Sequence, residues 1–401
     1  MRGRASALES KPLSVEPPMS LPLLFTPMTL RDLTLKNRIV VAPMHQYSAV
    51  KGFPTDWHLM NAGRYAAGGA GLVILESTKV ERRGCGTVGD LGLWDDAYVE
   101  PLARIAALVR QCGAACGIQI GHSGRKSRVA RPWEGGKALP ADPGIDDWDA
   151  WELVAPSALP ADDRSPVPRA LSVAEIEQVI EAFGKAAERA DRAGFDVLEI
   201  HGAHGFLIHQ FLSPRANQRT DAYGGSQTNR MRFALEVARR VRAAWPAAKP
   251  LFMRLSVDDD AGWGPAESVA LARELKGCGV DVVDCSAGGI LARPVSSAPI
   301  GYGYQVPFAR AIRREGGMAS MAVGLIVHHD QAEAILQSGD ADLVALAREM
   351  LHNPNWAMDA AIKMGVDPEF ASVPAPYGWW LAKRAAAMPQ LRTSTQPPLT
   401  S

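Results

Sequence analysis

Residues 195–214 read FDVLEIHGAHGFLIHQFLSP. Phe195, Val197, Leu198 and Ile200 make an apolar run that is short and β-branched, the pattern of a strand buried on both faces in a parallel sheet. The run stops at two histidines, His201 and His204. Imidazoles at the carboxyl end of a buried strand can direct N–H donors at one point, where an oxygen gaining negative charge would sit. A lone histidine there is more often a satisfied loop residue. A pair, preceded by a strand and followed by the segment NQRTDAYGG at 217–225, points to function.

Outward from this stretch, apolar runs at 39–42, 71–76, 117–120, 197–200, 251–255, 280–285, 318–323 and 343–346 alternate with segments of helical period. Helices are expected at 98–111, 173–192, 229–244, 266–278, 307–314 and 330–337, the second capped by Ser172 with Glu175 three residues on. Strands interleaved with helices in this way predict an α/β fold, a (β/α)8 TIM barrel. An open doubly wound sheet has the same alternation but would announce itself by a glycine-rich turn after its first strand. GCGTVG at 84–89 matches that turn letter for letter, yet it follows Glu81-Arg82-Arg83 rather than a strand and leads into no helix, so it reads as a loop. Residues 24–35 read as a hairpin plugging the barrel's bottom, and 128–168, rich in Pro and Trp, as an excursion after strand 3 that builds a substrate rim.

The balance of 43 Lys plus Arg against 43 Asp plus Glu steers the chain toward neither nucleic acid nor anionic membrane. Five cysteines without a C-x-x-C pair fit a reducing cytoplasm and no metal site. No apolar stretch is long enough for a signal or a span. Residues 1–20 read as a disordered leader, 21–387 as one barrel domain and 388–401 as a disordered tail.

In such a barrel, function collects where strands end. Those ends carry Ala42-Pro43-Met44-His45 and Tyr47, then Ser77, Gln119, the histidine pair, Arg254, and Ala347-Arg348. Backbone N–H groups at Gly288 and Gly324, with Arg348, suit an anion near the last strands.

HGAHGFLIHQFLSPRANQRTDAYGGSQTNRMRF, residues 201–233, resembles the signature of the Old Yellow Enzyme family of FMN-dependent oxidoreductases. The likeness runs from about 24 to 380 and is closest to the thermophilic-like subclass, in its xenobiotic reductase A branch. The resemblance implies an FMN-dependent NAD(P)H oxidoreductase of ene-reductase type. NADPH or NADH would give hydride to the flavin, and flavin N5 would pass it to an α,β-unsaturated carbonyl, quinone or nitro compound. It implies FMN contacts at Ala42, Pro43, Met44, His45, Ser77, Gln119, Arg254, Gly288, Gly324, Ala347 and Arg348. Tyr47, His201 and His204 would hold the acceptor and act on it, with Phe206 and Trp380 lining it. A cytoplasmic homo-oligomer, dimer or tetramer, is expected, with small-molecule partners only.

Three departures from the family pattern stand out. His45 replaces a cysteine beside the flavin, and an imidazole ionising near neutral pH would make the flavin potential pH-dependent. Phe206 replaces the tyrosine that protonates the substrate carbon, leaving water or Tyr47 to do so. In PAPYGWWLAKR, at 374–384, Trp380 replaces an arginine lent to a neighbouring subunit. The second departure keeps a flavin-dependent isomerase or desaturase open, and a non-catalytic flavin or small-molecule binding barrel is a further alternative.

Overall fold

A computed structural model describes residues 21–141, 144–389 and 395. The leader assigned to 1–20 lies outside the described residues, as does most of the tail assigned to 388–401. Eight strands close into a parallel barrel in chain order: β1 Ile39–Val41, β2 Leu72–Lys79, β3 Ala115–Gly121, β4 Val197–Gly202, β5 Leu251–Ser256, β6 Val282–Ser286, β7 Ala319–Ala322 and β8 Leu343–Leu346. Pairing of Val344 with Ile39 and Leu346 with Val41 closes the ring, which excludes the open sheet.

The pleat sorts each strand's side chains by parity. Ile39, Val41, Leu198, Ile200, Met253, Leu255 and Val283 face the surrounding helices. Val40, Leu72, Val197, Phe252, Val282, Met321 and Leu343 fill the barrel's interior near its amino-terminal end. That end is sealed by the hairpin Met28–Leu30 with Leu33–Leu35, whose Leu30 and Leu35 join the interior cluster. Following the interior parity upward, apolar residues give way to Gln119, Glu199, Arg254 and Asp284, and then to His201, Ser256 and Ser286 at the mouth. All seven are buried. The site is therefore the polar upper part of an otherwise apolar core.

The helices that cover the barrel are α1 Asp56–Ala67, α2 Val99–Gln111, α3 Val173–Arg192, α4 Gln227–Ala244, α5 Pro265–Gly277, α6 Val306–Arg314, α7 His329–Gln337 and α8 Trp356–Met364. The Ser172–Glu175 capping box forms as expected, Ser172 Oγ accepting the Glu175 N–H and the carboxylate accepting the Ser172 N–H. The sequence reading assigned no helix at α1, α8 or the terminal Ala375–Ala387. Helix α1 begins with an unusual cap, His58 Nδ1 accepting the Thr55 N–H at 3.0 Å. The glycine motif at 84–89 is a loop: the Gly86 and Thr87 N–H groups both donate to the buried Asp90 carboxylate.

Candidate active site

Strand β4 delivers His201 and His204 to the mouth, their rings 5.2 Å apart and inclined by 68°. His204 sits at φ 57°, a left-handed conformation that costs a non-glycine residue about 1–2 kcal/mol. Three contacts hold it there. Its N–H donates to Ser256 Oγ at 2.9 Å, its carbonyl accepts Lys126 Nζ at 2.8 Å, and its Nε2 lies 2.6 Å from Ser286 Oγ. Ser286 Oγ lies in turn 3.2 Å from Gln305 Oε1, which continues the network beneath the ring. His201 Nδ1 is buried without a partner among the described residues. Burial holds both imidazoles well below their usual pKa; the charge of Arg254 adds to the effect on both, and that of His204 to the effect on His201. Each is thus a neutral ring with one N–H, fewer donors than two histidinium ions would supply.

Below the pair lies the charged layer. Gln119 Nε2 donates to Glu199 Oε1 at 2.7 Å, and Arg254 Nε stands 3.2 Å from Asp284 Oδ2. Burial, then the nearby Asp284, pushes the Glu199 carboxyl up to about 8; Asp284 is likewise raised by burial, against the pull of Arg254. Glu199 Oε2 and Arg254 Nε lack hydrogen-bond partners among the described residues. Sequence reading named Gln119 and Arg254 but missed Glu199 and Asp284. Counting back in twos from His201, and noticing one acid inside the apolar run VVDCS, would have found both.

A cavity of about 300 Å³ opens beside this layer, lined by His204, Arg254, Ser286, Gly324, Ala347 and Arg348 among others. Gly324, at φ 117°, admits no side chain, since a Cβ would stand 2.7 Å from Gln305 Nε2. Ala347 has negative φ, so its methyl group introduces no strain. A guanidinium, small backbone-lined residues and unpartnered buried polar atoms at a barrel mouth fit the polar edge and phosphate of a flavin mononucleotide. Gly288 does not join this cavity: its N–H is donated to Asp258 O at 2.8 Å and is not free for a phosphate.

A second cavity, of about 340 Å³, is lined by His45, Tyr47, Asp90, Lys126 and Phe206 and, from the excursion, by Val129, Pro132, Ala138, Ala161 and Pro166 among others. The His45 and Tyr47 rings are stacked 5.3 Å apart, and the Phe206 ring meets His201 edge-on at 4.7 Å. Glu76 Oε2 accepts the Gln46 N–H and so pins the 43–48 segment to the end of β2. Ala42 extends the barrel, donating its N–H to Leu346 O, and Met44 lines a small internal gap with Ala42. Pro43 between them is half-buried.

The expectation that His45 titrates near neutral pH does not survive. Burial, reinforced by the charge of Lys79, lowers its pKa to about 3. Lys79, which sequence reading missed, is fully buried at the end of β2, two residues beyond Ser77. Its Nζ lies 3.1 Å from His45 Nε2 and from Ser77 Oγ, 3.5 Å from Asp90 Oδ2 and 4.8 Å from the Phe206 ring centre. Burial, with Asp90 and Glu76 nearby, pushes the Tyr47 phenol up to about 12. Trp380 lines neither cavity: with Trp379 it stands exposed on the terminal helix Ala375–Ala387.

The NADH:flavin oxidoreductase / NADH oxidase family model matches residues 23–365. The chain is 44% identical over 361 residues to an NADPH dehydrogenase of Geobacillus sp. (strain WCH70), covering 89% of this chain and 98% of the relative. It is 40% identical over 364 residues to that of Bacillus subtilis (strain 168), covering 89% and 99%. Among solved structures, morphinone reductase superposes with a TM-score of 0.71 at 28% identity, covering 85% of this chain and 90% of that one. The old yellow enzyme homologue from Zymomonas mobilis gives 0.70 at 28%, covering 85% and 93%. With the closed barrel in agreement with these matches, the chain belongs to the NADH:flavin oxidoreductase / NADH oxidase family, as an FMN-dependent enzyme of the Old Yellow Enzyme type.

Proposed function

We propose that this flavin-dependent oxidoreductase takes hydride from NADPH and reduces electron-poor acceptors: quinones, nitro compounds and α,β-unsaturated carbonyls. FMN, when bound, supplies two-electron hydride transfer between a nicotinamide and the acceptor. Arg254 and Gln119 would face its pyrimidine edge, and Gly324, Ala347 and Arg348 its phosphate. The observation that carries the reading is the pair of neutral imidazoles, His201 and His204, set at a barrel mouth between two cavities. A neutral N–H donates to an acceptor oxygen as negative charge builds there, without placing a fixed charge in the site beforehand. Nicotinamide and acceptor would use this one place in turn. The exposed Trp379 and Trp380 support a homo-oligomer in which Trp380 reaches a neighbouring site.

The test is anaerobic reduction of the purified yellow protein by NADPH, followed by mixing with benzoquinone, a nitroarene and cyclohexenone. Return of the oxidised flavin spectrum with at least one acceptor is expected, and a protein that stays reduced with all three overturns the proposal. A second reading, isomerisation or desaturation in the same site, is favoured by Phe206, which has no proton to give. It would show as movement of a double bond without net NADPH consumption.

A further inference from the structure

We propose that His45 donates the proton that completes alkene reduction, and that the Lys79–Asp90 ion pair positions and replenishes it. The inference rests on the reading of this site as a reductase. Hydride addition to a carbon–carbon double bond leaves an electron pair that must take a proton on the neighbouring carbon. Phe206, on the cavity wall, cannot supply one. Tyr47 has a hydroxyl, but no protein group among the described residues hydrogen-bonds to it and restores its proton. His45 differs, because a buried ammonium stands directly behind it.

Hydrogen-bond accounting fixes the state of each member. Lys79 Nζ has three hydrogens and three neighbours, His45 Nε2, Ser77 Oγ and Asp90 Oδ2. Asp90 is fully occupied as an acceptor, taking the Gly86 and Thr87 N–H groups and the Thr87 hydroxyl as well, which is the environment of an ionised carboxylate. An ammonium has no lone pair, so His45 Nε2 must accept from it. The imidazole proton therefore sits on Nδ1, which has no protein partner among the described residues, on a ring that lines the acceptor cavity. The charge of Lys79 also holds the ring neutral, so it presents one N–H rather than two.

The proposed step balances as follows. Hydride forms the new bond at the β-carbon, and the π pair moves to the α-carbon as an enolate. That pair takes the His45 Nδ1 proton, breaking the N–H bond, while one Lys79 proton passes to Nε2. Water in the cavity then returns a proton to the emptied Nδ1, the Nε2 proton passes back to the Lys79 amine, and Asp90 stays a carboxylate throughout. His45 is the catalytic residue here, whereas Lys79 and Asp90 are positioning residues that act through it.

Replacing Lys79 alone would strand a buried Asp90 charge, so the informative variant is the charge-neutral double K79M/D90N. The readout is turnover with cyclohexenone divided by turnover with benzoquinone in the same FMN-loaded protein, because a quinone takes its protons on oxygen directly from water. General acid catalysis contributes on the order of 100-fold or more, so the ratio should fall by about that factor. Adding F206Y, which restores a hydroxyl to the cavity wall, should recover most of it. Independently of turnover, ¹⁵N NMR of the His45 ring should show Nδ1 protonated and Nε2 accepting in the unsubstituted protein, and the preference should be lost in K79M/D90N. An unchanged acceptor ratio in the folded, yellow double variant overturns the proposal alone, as does a protonated Nε2 before substitution. A colourless protein that oxidises NADPH with neither acceptor overturns the reductase reading along with it.

Discussion

Ser256 is the residue on which the geometry of the histidine pair depends most, and S256A isolates its contribution. Ser256 is 1% exposed, and its hydroxyl accepts the His204 N–H at 2.9 Å and donates to Gly288 O at 2.8 Å. Alanine fits the space, so no clash arises, but two buried backbone groups lose their partner. The orphaned N–H of His204 costs about 1–3 kcal/mol and the Gly288 carbonyl about 1 more, giving about 2–4 kcal/mol in total. That is a large share of the roughly 5–15 kcal/mol that holds a typical domain folded. The backbone at φ 57° also loses the contact that keeps it there, so the imidazole should leave its place beside His201. Chemical denaturation of the FMN-loaded protein measures the first effect, and titration with a phenol that reports on the histidine pair measures the second. We expect S256A to lose about 2–4 kcal/mol and to bind the phenol at least ~10-fold more weakly, the equivalent of roughly 1.4 kcal/mol; S256T, which keeps the hydroxyl, should lose less on both counts. A loss below about 0.5 kcal/mol, the level of an ordinary surface change, with phenol affinity intact would refute the reasoning.

Three further outcomes follow from the electrostatics and the chain's end. Glu199 has its folded pKa raised to about 8, so it is protonated in the fold while already ionised in the unfolded chain. Its contribution to stability is present below the ordinary carboxylate range and is lost as pH rises toward 8, at about 1.4 kcal/mol per pH unit; E199Q should flatten the unfolding free energy between pH 6 and 8, and an unchanged slope counts against a buried neutral acid. His45 titrates the other way: its folded pKa is lowered to about 3, so stability falls as pH drops from 6.5 toward 3. H45Q should remove about 1.4 kcal/mol per unit from the slope in that window, and the flavin potential should show no step from His45 between pH 5 and 8. Truncation before Pro374, which removes the exposed Trp379 and Trp380, should raise the acceptor KM if a neighbouring subunit uses Trp380; unchanged kinetics would take Trp380 out of the site.

The barrel was legible because each strand is a short apolar run, and the mouth was legible because polar residues interrupt those runs at their carboxyl ends. Helices α1 and α8 escaped although their apolar stripes are no weaker than those of α4 and α5, which were expected, so stripe strength alone does not separate them. Within the site, residue type was readable while environment was not. His45 was recognised as a departure, but its protonation depends on Lys79, thirty-four positions away in sequence and 3.1 Å away in space. Glu199 and Asp284 lay inside strands whose apolar neighbours disguised them, although the parity that placed His201 at the mouth also places them below it. Gly288 shows the reverse error: its type suited an anion, but the fold had already given its N–H to Asp258. The glycine motif at 84–89 shows why context outranks spelling, since its N–H groups serve Asp90.

The central claim is that His201 and His204 grip a ligand stacked on the flavin at the barrel's mouth. Addition of a phenol to the FMN-loaded protein tests it most directly, through the visible spectrum. The account predicts a new long-wavelength charge-transfer band that is lost in H201A and H204A variants that still hold FMN. No band in the unsubstituted protein, or a band that persists when both imidazoles are gone, would contradict it.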